Sequence, residues 1–298
     1  MKKVLSIIVT LSLVATLLLA GCSQGTGDNS KKAAGLVKKI SVALLPDESP
    51  ATVIKNNKEL KEYLSKTLNM EVELVVTTDY SSMIEGMRKG HIDIGYFGPL
   101  SYVLLKQKMA NVEPFAVKLE KGEPTYKAVV IANADSGIKS LTDIKGHTVV
   151  FGDTASTSSH MIPKEMIASQ GGLKAGQDYK EQFVGSHDAV AMAVQNGNAQ
   201  AGGLSKPILD SLLEKGIIKK DKVIEIALSK PYPNYPWAIR TDLDKDLQEK
   251  IKKAFYDLKD AEVLKPLKAD GFAPITDKDY DVIREMVGIL GIKLEEMQ

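Results

Sequence analysis

The chain has 298 residues, a formal net charge of +1, 44% hydrophobic residues and a single cysteine. It is too apolar and too balanced in charge for a disordered chain, and one cysteine builds neither a disulfide framework nor a zinc site on paired cysteines. Near-zero charge gives no general field for nucleic acid, and the length fits one large domain or two of ordinary size, either able to bury a core without staples.

Lys2 and Lys3 precede an apolar run from Val4 to Ala20, broken only by Ser6, Thr10, Ser12 and Thr16. That is the layout of a secretory signal ending in small residues. The segment Leu19-Ala20-Gly21-Cys22 resembles the lipobox of bacterial lipoproteins, which implies removal of residues 1–21 and a diacylated thiol on Cys22. A short transmembrane anchor is the alternative, since the run is near the lower limit for a span. Loss of Lys2 and Lys3 takes the formal charge of +1 to −1. Beyond Cys22 no apolar run is long enough to cross a membrane. The expectation is an exported protein, anchored by lipid to the extracytoplasmic face of the cell membrane. Residues 22–39, rich in Ser, Gly, Lys and Asn, read as a flexible tether.

From Ile40 the pattern alternates between strand and helix. A strand over 40–45 stops at Pro46, and Leu60, Tyr63, Leu64 and Leu68 recur at helical spacing over 58–68. A strand follows over 71–77, then a helix over 81–89 and a strand over 92–97. Gly98-Pro99 opens a helix through Lys106, Pro being well tolerated in a first turn. The same grammar repeats: strand 126–132, a helical turn at 141–146, strand 148–151, and helix 158–169 ended by Gly171-Gly172. Helix 188–196, a weak Gly-rich strand over 200–204, helix 208–215 and strand 222–228 come next. Pro231-Tyr232-Pro233-Asn234-Tyr235-Pro236 is a stiff crossing segment, followed by strand 237–240 and helices over 247–256 and 279–290. This predicts an α/β protein with mostly parallel sheets and two lobes. Lobe 1 is 40–123 plus 236–298 and lobe 2 is 124–235, with a ligand cleft between them.

Three segments could carry chemistry. Thr154 to Ser159 holds five hydroxyls in six residues, after a strand and before a helix. Unpaired N–H groups, the helix dipole and the hydroxyls together make an anion cradle that needs no lysine, although a single N-cap explains one of them. Tyr96-Phe97-Gly98 ends a strand where a helix begins, and by itself reads more readily as a turn with core aromatics. His187 stands at a helix start, where the dipole disfavours a proton and a bound dianion would favour imidazolium.

Tyr80, Gly95-Tyr96-Phe97-Gly98-Pro99-Leu100-Ser101, Pro124-Thr125-Tyr126, Asp153-x-x-Ser156-Thr157-Ser158, Met161-Ile162-Pro163 and Gly185-Ser186-His187-Asp188 occur in this order. The set resembles the phosphate/phosphite/phosphonate-binding proteins of ABC importers, from about Ile40 to Phe272. The resemblance implies a hinge-closing binding protein of the second structural type, working with a permease and its ATPase. It implies that Ser156, Thr157, Ser158 and His187 grip an oxyanion, with Tyr80, Tyr96, Phe97, Gly98 and Tyr126 lining the cleft. Members that bind aminoethylphosphonate hold its amine with two acids, expected here near 204–207 and 233–235. Leu204-Ser205-Lys206-Pro207 and Pro233-Asn234-Tyr235 hold none, and an unpaired ammonium in a closed cleft is costly. The expected ligand is therefore phosphite, methylphosphonate or a similar alkylphosphonate, or phosphate.

Two alternatives stand beside this. One is a receptor for another small anion such as a sulfonate. The other is a serine hydrolase using Ser156 or Ser158, His187 and Asp153, against which stands the lack of a Gly-x-Ser-x-Gly elbow. His91, His147, His160 and His187 show no metal-ligand spacing, and His160 is expected to be structural. The expectation is thus a monomeric binding protein, without enzymatic activity, metal, cofactor or nucleic-acid partner.

Overall fold

The computed structural model describes residues 39–291. The signal segment, Cys22 and nearly all of the tether lie outside the described residues, as do the last seven of lobe 1.

The first half of the fold is built on a six-stranded sheet. Its strands are β1 (Lys39–Leu44), β2 (Glu71–Val76), β3 (Ile94–Tyr96), β4 (Val112–Leu119), β12 (Pro236–Arg240) and β13 (Gly271–Pro274), in the spatial order β13-β4-β12-β3-β1-β2. The second half has five strands in the order β10-β6-β9-β7-β8. These are β6 (Ala128–Asn133), β7 (Thr148–Phe151), β8 (Lys180–Phe183), β9 (Ala201–Ser205) and β10 (Val223–Leu228). Both sheets are mixed, which corrects the mostly parallel expectation. β1 pairs in parallel with β2 and β3, and β7 with β8 and β9, as crossover helices require. β4, β12, β13, β6 and β10 run antiparallel to their neighbours because they reach the sheet by direct return or from the other half.

Helices cover both faces of each sheet. On the first, α2 (Lys58–Leu68) and α8 (Lys245–Tyr256) bury Leu60, Leu64, Ile251 and Phe255 around Trp237 and Phe115. The opposite face takes α3 (Tyr80–Arg88) and α4 (Pro99–Lys108) through Met83, Met87 and Leu104. On the second, α6 (His187–Gln195) and α7 (Lys206–Glu214) bury Val190, Val194, Leu209 and Leu212. There α5 (Ile162–Ser169) covers the other face with Ile162, Met166 and Ile167.

Some elements were not expected. Helix α1 (Pro50–Asn56) opens on a Ser49 cap, and β4 is the longest strand despite Pro114. Pro114 is tolerated because the β4–β12 register slips by one residue between Trp237 and Ala238, a bulge being a permitted site for Pro in a sheet. The Gly-rich β9 is central rather than weak. A Cβ on Gly203 would come within 2.4 Å of Pro163 in α5, so the bare backbone lets the helix sit directly on the strand.

The chain crosses between the halves twice. The crossings pair as a two-stranded antiparallel ribbon of β5 (Thr125–Tyr126) and β11 (Tyr232–Pro233), Tyr126 opposite Tyr232. Among the described residues no helix is long and apolar enough to cross a membrane.

Candidate functional site

The hydroxyl run sits where β7 ends. Residues Thr157–Met161 form a single π-helical turn before α5, a wide turn often found at functional sites. Thr154 is exposed, and the other four hydroxyls of the run each have their own task. Ser156 caps the turn by accepting from the Ser159 N–H at 3.1 Å. Ser159 accepts from the Gly152 N–H at 2.7 Å and donates to the Gly203 carbonyl at 2.9 Å, tying the turn to two strands. Thr157 accepts from the Leu100 N–H at 2.7 Å, across from the first half. Ser158 lies 3.5 Å from the Tyr235 hydroxyl. All four side chains are buried.

The halves meet over this region. Besides Thr157 and Leu100, the Asp153 carboxylate accepts from the Tyr80 N–H at 3.3 Å. The Asp47 carbonyl accepts from the His187 N–H at 2.8 Å, and Asp188 accepts from the Ser49 N–H at 3.1 Å. Lys268 pairs with Glu214 at 2.9 Å. Each of these contacts joins a group on the six-stranded side to one on the five-stranded side, so the cleft is closed.

Tyr80 and Tyr126 are both brought to the hydroxyl run. Asp79 caps α3 by accepting from Ser82 at 2.6 Å, which sets Tyr80 in the first turn. The Ser156 hydroxyl faces the Tyr80 phenol, and those of Ser158 and Thr157 face Tyr126, without forming a well-made hydrogen bond. Burial drives both phenols well above their ordinary range, so they remain protonated. Among the described residues, both phenol oxygens are buried without a partner, and so is Nε2 of His187. A buried polar group in that condition costs about 1–3 kcal/mol.

His187 is fully buried and its protonation is legible. Its Nδ1 accepts from the Ser205 N–H at 3.0 Å, which places the proton of the neutral ring on Nε2. Burial holds the imidazole down at about 3. A second proton on Nδ1 would also set two donors face to face. His187 is therefore a neutral N–H donor, in line with the disfavoured proton at this helix start.

Tyr96 stacks between Tyr235 and Trp237, with centroids 5.4 and 5.0 Å away. Phe97 is placed differently. Its ring folds over Gly95, where a Cβ would come within 2.4 Å of it, and it belongs to the core. Gly98 caps α4 and packs near Leu45, Ser101 and Thr157.

A cavity of about 430 Å³ is bounded by Tyr96, Tyr126, Ser205 and Tyr235 among others; of the expected site residues only Tyr96 and Tyr126 line it, and the hydroxyl run reaches its wall through Ser158 beside Tyr235. Ser205 and Tyr235 come from the two acid-free windows. Asp47, Glu48 and Lys118 also line it. Sequence reading missed them because they follow a strand end or sit within a strand, with no motif around them. Among the described residues no cluster of His, Cys, Asp and Glu could hold a metal ion.

This architecture and motif order match a family model described as ABC transporter, phosphonate, periplasmic substrate-binding protein, over residues 42–280. The chain belongs to that family. It is 29% identical to the phosphate-import protein PhnD of Mycolicibacterium smegmatis, covering 95% of this chain and 96% of the relative. It is 26% identical to a probable ABC transporter phosphite binding protein, PhnD1, of Prochlorococcus marinus, over 88% and 91% of the two chains. The crystal structure of PhnD1 from that organism in complex with methylphosphonate superposes with a TM-score of 0.78. It covers 85% of this chain and 98% of the other at 24% identity, a likeness of fold. The fold is thus the two-lobed, type II periplasmic binding-protein architecture.

Proposed function

We propose that the protein is the extracytoplasmic solute-binding component of an ABC importer. Its ligand is a small phosphorus oxyanion: phosphite, methylphosphonate or a similar alkylphosphonate, or phosphate. The observation that carries the reading is a set of buried donors without partners, the Tyr80 and Tyr126 hydroxyls and the His187 Nε2–H. Tyr80 and Tyr126 stand beside the Ser156–Ser158 run. An oxyanion accepts from such donors, and a water-excluded site strengthens each bond. The family relatives named for phosphate, phosphite and phosphonate support the same class.

Lobe 1 (40–123 plus 236–298) and lobe 2 (124–235) close about the paired crossings, because the ligand binds the closed state better. The closed form is then offered to the permease and its ATPase. Tethering by lipid on Cys22 keeps the monomeric protein at the extracytoplasmic membrane face. Cys22→Ser should abolish labelling by a palmitate analogue and release the protein from the membrane fraction.

The proton on His187 supports binding rather than catalysis. A general base needs a lone pair facing the nucleophile, and the lone pair here is spent on Ser205. Asp153 is likewise committed, to the Ala155 and Tyr80 amides.

The test is calorimetry with phosphite, methylphosphonate, phosphate, aminoethylphosphonate and an alkylsulfonate. One of the first three should bind tightest; preference for aminoethylphosphonate or the sulfonate rejects the reading.

A further inference from the structure

The loop between β1 and α1 carries an acid that this reading leaves unused. Asp47 lines the cleft cavity together with Tyr96, Tyr126 and Tyr235. Its backbone is fixed to the cradle, since its carbonyl accepts from the His187 N–H at 2.8 Å. Two residues on, the Ser49 N–H is held by Asp188 at 3.1 Å. The loop is therefore clamped to the wall that presents His187. Among the described residues, no other side chain hydrogen-bonds the Asp47 carboxyl.

The surroundings of that carboxyl are hostile to charge. Glu48 and Asp188 add negative charge, and Lys118 is the cation that opposes them. Lys118 is itself engaged by Glu120 at 3.6 Å, while Lys215 and Lys268 act on Glu48. His187 is neutral. The phenols of Tyr80, Tyr96, Tyr126 and Tyr235 all lie within range of the Asp47 charge. Burial and the neighbouring acids already raise this carboxyl to about 8. An oxyanion bound among the same tyrosines would raise it further, because like charges favour a shared proton.

We propose that Asp47 is a ligand-binding residue, and that its carboxyl and an oxygen of the bound phosphorus oxyanion share one proton. The proposal rests on the oxyanion reading of the site. If Asp47 arrives as carboxylate and the ligand as dianion, one proton is taken from solvent. It forms an O–H on one partner, and the other partner accepts it; no bond to phosphorus changes. Ser205 and Tyr235, at the acid-free windows, supply no second carboxylate for an ammonium, so the Asp47 charge is met by a proton rather than by a ligand amine.

The test is calorimetry of methylphosphonate binding at pH 9, in buffers of different ionisation enthalpy, with a pH series from 6 to 10. The wild-type protein should take up about one proton per ligand at pH 9, and its affinity should fall about tenfold per pH unit above 8. Asp47→Asn should take up none at pH 9 and lose the fall in affinity above pH 8. Asp47→Ser, which also cannot titrate, serves as the second variant if the Asn protein melts early. Binding without proton uptake in the wild type, or equal uptake in both variants, overturns the role of Asp47 alone. Failure of the wild type to bind any phosphorus oxyanion at any pH overturns this role together with the reading beneath it.

Discussion

Two buried histidines flank the cradle, and they are opposites. His160 places Nδ1 2.8 Å from the Thr154 carbonyl, so Nδ1 carries the proton and Nε2 is left as an acceptor. That ring packs between Phe151 and Phe183, with centroids 5.3 and 5.0 Å away. His187 receives the Ser205 N–H on Nδ1, so its Nε2 is a donor. Burial lowers the pKa of both. The two share residue type, burial and neutrality, yet only His187 can give a hydrogen bond to an anion. One backbone partner decides which histidine has a donor to offer and which an acceptor.

The largest expected effect breaks this pair apart. His187→Ala should weaken oxyanion binding by about 1.5–3 kcal/mol, the scale of hydrogen bonds to charged groups. His160→Ala should leave the dissociation constant within about twofold but lower stability by about 1–3 kcal/mol, through the stranded Thr154 carbonyl and the lost ring packing. Equal losses of affinity in both variants would dissolve the distinction. Acid sharpens the comparison. The folded-state pKa of His187, about 3, is below the unfolded value of 6.5, so its contribution is complete above pH 6.5 and is lost as pH falls towards 3. The slope should be about 1.4 kcal/mol per pH unit. His187→Gln should remove that slope in denaturant titrations between pH 4 and 6, and wild-type affinity should show no step from this residue between pH 5 and 7.

Smaller effects probe the other donors. Tyr80→Phe and Tyr126→Phe should each cost about 1.5 kcal/mol of affinity, the low end for a hydrogen bond to a charged group. Both should raise the thermal stability of the ligand-free protein, because a stranded hydroxyl is removed. A drop in ligand-free stability would mean that the phenols serve the fold instead. The smallest effect belongs to the Lys268–Glu214 pair, whose Glu214 is 69% exposed. Glu214→Gln should shift closure by under about 1 kcal/mol, seen as a slightly larger radius of gyration in small-angle scattering.

Much of the fold could be read from the chain, because apolar periodicity reports on burial. It failed where burial did not set the pattern. β8 is polar and largely exposed along Lys180–Phe183, and β4 hides Pro114 at a bulge. For the site, residue types were visible and partners were not. The hydroxyl run stood out, yet nothing local shows that Ser159 is bound to Gly152 and Gly203 while Ser158 faces the tyrosines. The tautomer of His187 depends on an amide eighteen residues away. Asp47 had no motif, and only the clamp on His187 brings it into the cleft. Phe97 followed the usual fate of a strand-end aromatic and turned into the core.

The crossing ribbon has a consequence for how the molecule can change. Tyr126 is one of the stranded donors, and it is also half of β5, paired with Tyr232 on the return crossing. On the proposed function, a residue that senses the anion is thus also part of the axle on which the lobes turn. A substitution there alters grip and swing together, so ligand preference cannot drift at this position without retuning the motion. A position such as Ser158, which lies outside both crossings, would leave specificity free to vary while the mechanics stay fixed.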